Sequence, residues 1–118
     1  MLSHDFISVS EENITSALNY YPNMKLTGKE TRIVKIKDKI ILKYITIFND
    51  VDIFIKLSGQ SINRLNYYGC SVIPPSSCLV LYNKIRKTTL FKRIKLWKLS
   101  KILRYSISNN YYIVHHGI

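Results

Sequence analysis

Residues 84–104 read Lys-Ile-Arg-Lys-Thr-Thr-Leu-Phe-Lys-Arg-Ile-Lys-Leu-Trp-Lys-Leu-Ser-Lys-Ile-Leu-Arg. Nine cations stand in this stretch, at Lys84, Arg86, Lys87, Lys92, Arg93, Lys95, Lys98, Lys101 and Arg104, and no acid stands among them. Ile85, Leu90, Phe91, Ile94, Leu96, Trp97, Leu99, Ile102 and Leu103 are interleaved with them. A solvated basic tail lacks so many apolar side chains, and a core element cannot hold so many unpaired cations. The segment therefore packs along one side and carries a positive field on the other. The natural partner of that field is a polyanion.

The remainder of the chain sharpens the asymmetry. All seven acids lie at or before Asp52. Residues 1–60 carry 8 cations and 7 acids, residues 61–118 carry 10 cations and none, and the net charge is +11. Ordinary surfaces intersperse both signs. Nucleic acid is the first expectation for such a chain and an anionic membrane surface the second. A hydrophobic content of 47% over 118 residues fits a folded protein rather than a disordered one. Residues 66–83 are uncharged, but Pro74-Pro75 and several polar side chains make them a poor membrane span. Asp5, Glu11 and Glu12 argue against a secretory signal or an Arg-rich presequence. Cys70 and Cys78 match neither a disulfide framework nor a paired metal motif and read as small buried hydrophobes.

In chain order, Ser8 with Glu11 reads as a capping box opening a helix from about Val9 to Tyr20, ended by Pro22. Residues 23–29 read as a turn. Residues 31–36 alternate around Ile33 as a short strand. Ile40, Ile41, Tyr44, Ile45 and Phe48 recur at helical spacing. Ile53, Ile55 and Leu57 share one face of a strand over 52–57, and Ser58-Gly59 turns the chain. Residues 74–77 read as a loop and 78–82 as an apolar strand. Residues 90–94 read as a strand, 97–103 as a helix and 111–115 as a last strand.

Among candidate chemical groups, Tyr67, Tyr68, Tyr82, Tyr105, Tyr111 and Tyr112 have rings that stack on bases or, more commonly, half-bury in a sheet. His115-His116-Gly117 reads as a loop that offers imidazole nitrogens and backbone N–H groups, or as a plain surface turn. No Ser-His-Asp arrangement, P-loop or dinucleotide loop is present in the sequence.

The chain resembles the family of small-subunit ribosomal protein eight, of bacterial or organellar type. Asp5-Phe6-Ile7-Ser8 before a helix is similar to the family's opening Asp-Pro-Ile-Ser/Ala, and Ile41-Leu42-Lys43 to its Ile-Leu-Lys helix. Residues 79–82 resemble the family's strand ending Leu-Lys-Tyr. Ile85-Arg86-Lys87-Thr88-Thr89 falls on its Ile/Val-Ser-Lys/Arg-Pro-Gly, and Leu99-Ser100-Lys101-Ile102-Leu103 on its Leu-Pro-Lys-Val-Leu. The tail from Ile113 through His115, His116 and Gly117 resembles its Ser-Thr-Ser-Lys-Gly-Ile/Val loop.

The expected fold is α/β (α+β) in two small lobes, an α-β-α-β-β lobe over residues 1–82 and a basic, β-rich lobe with one short helix over 83–118. The resemblance implies a structural protein of the small ribosomal subunit, in the mitochondrial matrix. Its partners would be small-subunit rRNA and neighbouring ribosomal proteins, with no membrane and no small-molecule substrate. RNA contacts are expected at Arg86, Lys87, Lys92, Arg93, Lys95, Lys98 and Lys101, at His115, His116 and Gly117, and at Arg32 and Lys35. No enzyme activity, cofactor or metal is expected. The alternatives are a small basic phage or membrane-surface protein, and a basic endoribonuclease using His115 or His116.

Overall fold

In a computed structural model, which describes residues 2–21, 23, 31–56 and 59–118, four strands make one antiparallel sheet in the order β2-β1-β4-β3. β1 is Ser3–Val9, β2 Arg32–Lys37, β3 Cys70–Ile73 and β4 Tyr112–His116. Five α-helices surround it among the described residues: α1 Ile14–Tyr20, α2 Asp38–Lys43, α3 Pro75–Arg86, α4 Leu90–Lys95 and α5 Trp97–Asn109. Short 3-10 turns stand at Glu11–Asn13 and Ile45–Phe48. The class is α+β.

Strand register divides the side chains between two faces, because residues directly opposite one another point the same way. Ile7, Val114 and Val72 lie in one row and pack under α1 with Val9, Ile14 and Ala17. Phe6, Ile36, Ile73 and Ile113 point to the other face. There they meet Leu81 and Ile85 of α3 and Leu99, Ile102 and Leu103 of α5 in a larger core. That core also takes in Ile41, Phe48 and Ile53, so residues early and late in the chain share one interior. The expected division at residues 82 and 83 falls inside α3, and β4 lies between β1 and β3.

Several elements differ from expectation for identifiable reasons. The chain opens with a strand where a capping box was expected. Ser8 is buried in β1 and bonds Ser106 of α5, 2.6 Å away, so its hydroxyl is not free to cap a helix. Pro74-Pro75 starts α3 rather than a loop, because proline at a first helical position gives up only an N–H that has no partner there. The apolar run at 78–82 is helical: Ser77, Cys78, Leu81 and Ile85 are buried at helical spacing, while Leu79 and Val80 face outward. Residues 90–94 form α4, where Thr89 Oγ1 accepts from the Lys92 N–H at 3.4 Å. The second lobe is therefore helical apart from β4. In the expected strand 52–57 only Phe54 pairs, with Ser61 and Val72, and Leu57 lies outside the described residues. The turns expected at 23–29 and at Ser58-Gly59, and the stop at Pro22, likewise rest on residues outside that description. No described helix is long and apolar enough to cross a membrane.

Candidate functional site

Helix α5 carries two stripes. Leu99, Ile102, Leu103 and Ser106 face the core. Trp97, Ser100, Lys101, Arg104, Tyr105 and Ser108, again at helical spacing, form one wall of an open groove of about 600 Å³. Tyr82, Ile85 and Arg86 of α3 and Leu90, Arg93 and Ile94 of α4 complete the groove, with Arg32 reaching in from β2. No acid lines it. Four of the chain's five arginines, Arg32, Arg86, Arg93 and Arg104, do.

Two of these guanidinium groups are held by aromatic rings. Arg32 lies 4.3 Å from the centroid of Tyr105. Arg86 lies 5.7 Å from that of Tyr82 and donates a 3.2 Å hydrogen bond to its hydroxyl. A stacked guanidinium is partly ordered before any ligand arrives, so less side-chain freedom is lost when it binds. A planar donor fork of this kind grips phosphate or carboxylate in two-point fashion, which an ammonium group cannot do.

A second groove, of about 670 Å³, runs between β2 and α5 and shares Arg32, Trp97 and Lys101 with the first. It adds Lys35 and Lys98, and Lys98 Nζ donates to the Lys35 carbonyl at 3.4 Å. Of the residues expected to contact a polyanion, the two grooves bring together Arg32, Lys35, Arg86, Arg93, Lys98 and Lys101. Lys87, Lys92 and Lys95 are exposed but line neither groove. Arg104 and Trp97 belong to the site and were not singled out as contacts. The i, i+3, i+4, i+7 spacing of Trp97, Ser100, Lys101 and Arg104 is the sequence signal that marks them.

The tail residues lie elsewhere. His115 is fully buried in β4 and presents no imidazole to a partner. With both imidazoles neutral, one direction of donation satisfies the whole chain of bonds. His4 Nε2–H donates to Asp38 Oδ1 at 2.9 Å, His115 Nε2–H donates to His4 Nδ1 at 2.9 Å, and the Ser71 hydroxyl donates to His115 Nδ1 at 3.1 Å. The Asn66 N–H then donates to Ser71 Oγ at 2.9 Å, and the Tyr67 hydroxyl donates to Asp38. Burial pushes the His115 pKa down to about 3. Bonds from Tyr67 and then His4 hold the Asp38 carboxyl below its usual range, and the same carboxylate lifts Tyr67 to about 12.

His116 is partly buried, with Nε2 at 2.7 Å from the Ala17 carbonyl and Nδ1 at 3.2 Å from Cys70 Sγ. Gly117 approaches its own chain rather than a ligand: a Cβ there would lie 2.1 Å from the Tyr67 carbonyl oxygen. Cys78 is a buried thiol whose burial raises it to about 12, while Cys70 is half-buried, and both are free. Among the described residues no three His, Cys, Asp or Glu side chains converge as a metal site.

No family model matches the sequence, and no curated protein matches it. Among solved structures, the chain is similar to the Neisseria DNA mimic protein DMP12. The identity is 14%, with 97% of this chain and 98% of that one covered and a TM-score of 0.54. The two chains share a fold over nearly their whole lengths. That fold replaces the ribosomal family suggested by short sequence matches. The helix expected over about Val9–Tyr20 is present as α1, but α3 stands where the family's strand at residues 79–82 was expected. The ribosomal role, the small-subunit rRNA and the neighbouring ribosomal proteins are withdrawn with the family.

Proposed function

We propose that this protein is a binding module, without catalytic chemistry of its own, that grips the phosphate backbone of DNA in the arginine-lined groove. One observation carries the reading: four of five arginines converge on one groove between α3, α4 and α5 that no acid lines among the described residues. Unpaired cations crowd together at a cost in mutual repulsion, which an external polyanion offsets. Phosphate is favoured over an ammonium-type or neutral ligand by the donor set, which is entirely cationic apart from hydroxyls. The structural neighbour's name describes a mimic of DNA, and such mimicry requires negative charge. Here the same scaffold carries the opposite field, so what transfers is the scaffold and not the mimicry.

The test is the anisotropy of a labelled DNA duplex titrated with the protein over a range of salt. Neutralising four phosphates gives a slope of log affinity against log salt of roughly −4. Arg93→Gln with Arg104→Gln should bring that slope down by about 2 and weaken binding at least roughly tenfold. An unchanged slope and affinity in the folded double variant removes the groove from the interface. Tighter binding to an acidic polypeptide than to DNA at equal salt would move the partner from nucleic acid to protein.

A further inference from the structure

Trp97 is the chain's single tryptophan, and it stands where the two grooves meet. It is 55% exposed, and Leu90 and Ile94 beside it in the first groove are 64% and 58% exposed. These side chains form an apolar wall inside a site otherwise built for anions. Against duplex DNA that wall has no partner, because a duplex shows phosphates outward and keeps its base faces stacked together. An unpaired strand offers both parts at once. Its phosphates meet the cations, and its base faces meet an aromatic ring.

We infer that the preferred ligand of this site is single-stranded DNA, with a base stacked on the Trp97 indole. The inference rests on the phosphate-binding reading of the same groove and refines it. Arg32 and Lys101, which border both grooves with Trp97, place positive charge along the path of a strand leaving the ring in either direction. Arg93 and Arg104 line the first groove and Lys98 the second, where Lys35 is already paired with Asp5 at 2.9 Å. Tyr105 is covered by Arg32 at 4.3 Å and Tyr82 is half-buried with its hydroxyl bonded to Arg86, whereas the half-exposed Trp97 is the ring placed to receive a base. Lys98 Nζ, 6.0 Å from the Trp97 centroid, sits at the edge of cation–π range and is long enough to move aside.

Because Trp97 is alone of its kind, intrinsic fluorescence reports on it directly. A short thymidine oligomer should quench that emission on binding, and a duplex of equal length should bind more weakly with little quenching. Trp97→Ala, followed by anisotropy of labelled oligomer, should lose roughly tenfold or more in affinity for the single strand. Trp97→Phe should recover most of it, and the loss in duplex affinity on Trp97→Ala should be several-fold smaller than the loss for the single strand. Half-exposed Trp97 contributes little to the core, and quenching in the unaltered protein decides the matter even if the alanine variant folds poorly. Equal binding of single strand and duplex without quenching overturns stacking and leaves the phosphate reading intact. Failure of both DNAs to bind at low salt overturns the phosphate reading itself. Partition onto anionic vesicles with a blue shift of Trp97, in preference to either DNA, would overturn both.

Discussion

The groove on α5 and the polar chain beneath the sheet treat their ionisable groups in opposite ways. In residues 84–104 nine cations stand without an acid, and the Lys35–Asp5 ion pair lies outside that stretch. In the interior, His4, His115, Asp38, Tyr67 and Ser71 each find a partner within the chain. The interior network is closed and serves stability. The groove is open, and among the described residues no acid balances its cations. Charge alone does not separate the two cases, since the histidines at the chain's end looked as available as the lysines. Burial and partner count separate them.

The largest expected effect falls on the closed region. The His115 pKa is near 3 in the fold against 6.5 unfolded, so the unfolded chain binds the extra proton first. Its contribution to stability is complete above about 6.5 and is lost as pH falls toward 3, at up to ~1.4 kcal/mol per pH unit. Asp38, held below its ordinary value of 3.8, loses stabilisation in the same direction but in a lower window. Partly buried His116 is shifted upward, chiefly by its bond to Cys70, so its contribution is complete below 6.5 and fades as pH rises through its folded value. Urea midpoints between pH 7 and pH 4 should therefore fall steeply toward acid. His115→Leu should cost ~2 kcal/mol at neutral pH by leaving His4 and Ser71 without their partner, and it should flatten the acid slope. A slope unchanged in that variant would assign the acid sensitivity elsewhere.

The next effect probes the joint between the two regions. Ser8 of β1 and Ser106 of α5 share a buried 2.6 Å hydrogen bond that ties the groove helix to the sheet. Either serine replaced by alanine strands a hydroxyl and should cost ~1–2 kcal/mol, while replacing both should cost less than the sum. Strict additivity in denaturant unfolding would show that the pair does not act as one. A smaller loss, ~0.5–1 kcal/mol, is expected for Thr89→Ala, which removes the cap of α4. The cap bond is long, so the lower end is the expected one.

The fold was legible where periodicity and burial agreed. Arg32–Lys37 and Tyr112–His116 are strands close to the expected limits, and Trp97 opens a helix whose apolar stripe at 99, 102 and 103 is visible in the sequence. It was illegible where one composition fits two elements. The run Cys78-Leu79-Val80-Leu81-Tyr82 is as apolar as a buried strand, and only the packing of α3 decides that Leu79 and Val80 face outward. Ser8 has the chemistry of a cap but lies in a strand, where it bonds across to α5. The basic segment announced the polarity of the site, and its helical spacing held Arg104 and Trp97 as well. His115 gave no sign of burial, because the partners that satisfy it, His4 and Ser71, lie far away in the sequence.

The smallest effect tests the open region, and its sign carries the information. Exposed ion pairs are weakened by salt, so a surface rich in them loses stability as ionic strength rises. A face of like charges behaves in reverse, because screening relieves repulsion that folding imposes. Between low and physiological salt the protein should gain a few tenths of a kcal/mol in unfolding free energy. Arg93→Gln with Arg104→Gln should reduce that gain without lowering stability in low salt by more than ~0.5 kcal/mol. Phosphate should stabilise more than chloride at equal ionic strength if the arginine forks bind it as a ligand, since a bound anion adds to screening. Equal stabilisation by the two anions would reduce the groove to a diffuse field. A loss of stability with salt would mean that residues 84–104 are already neutralised within the chain.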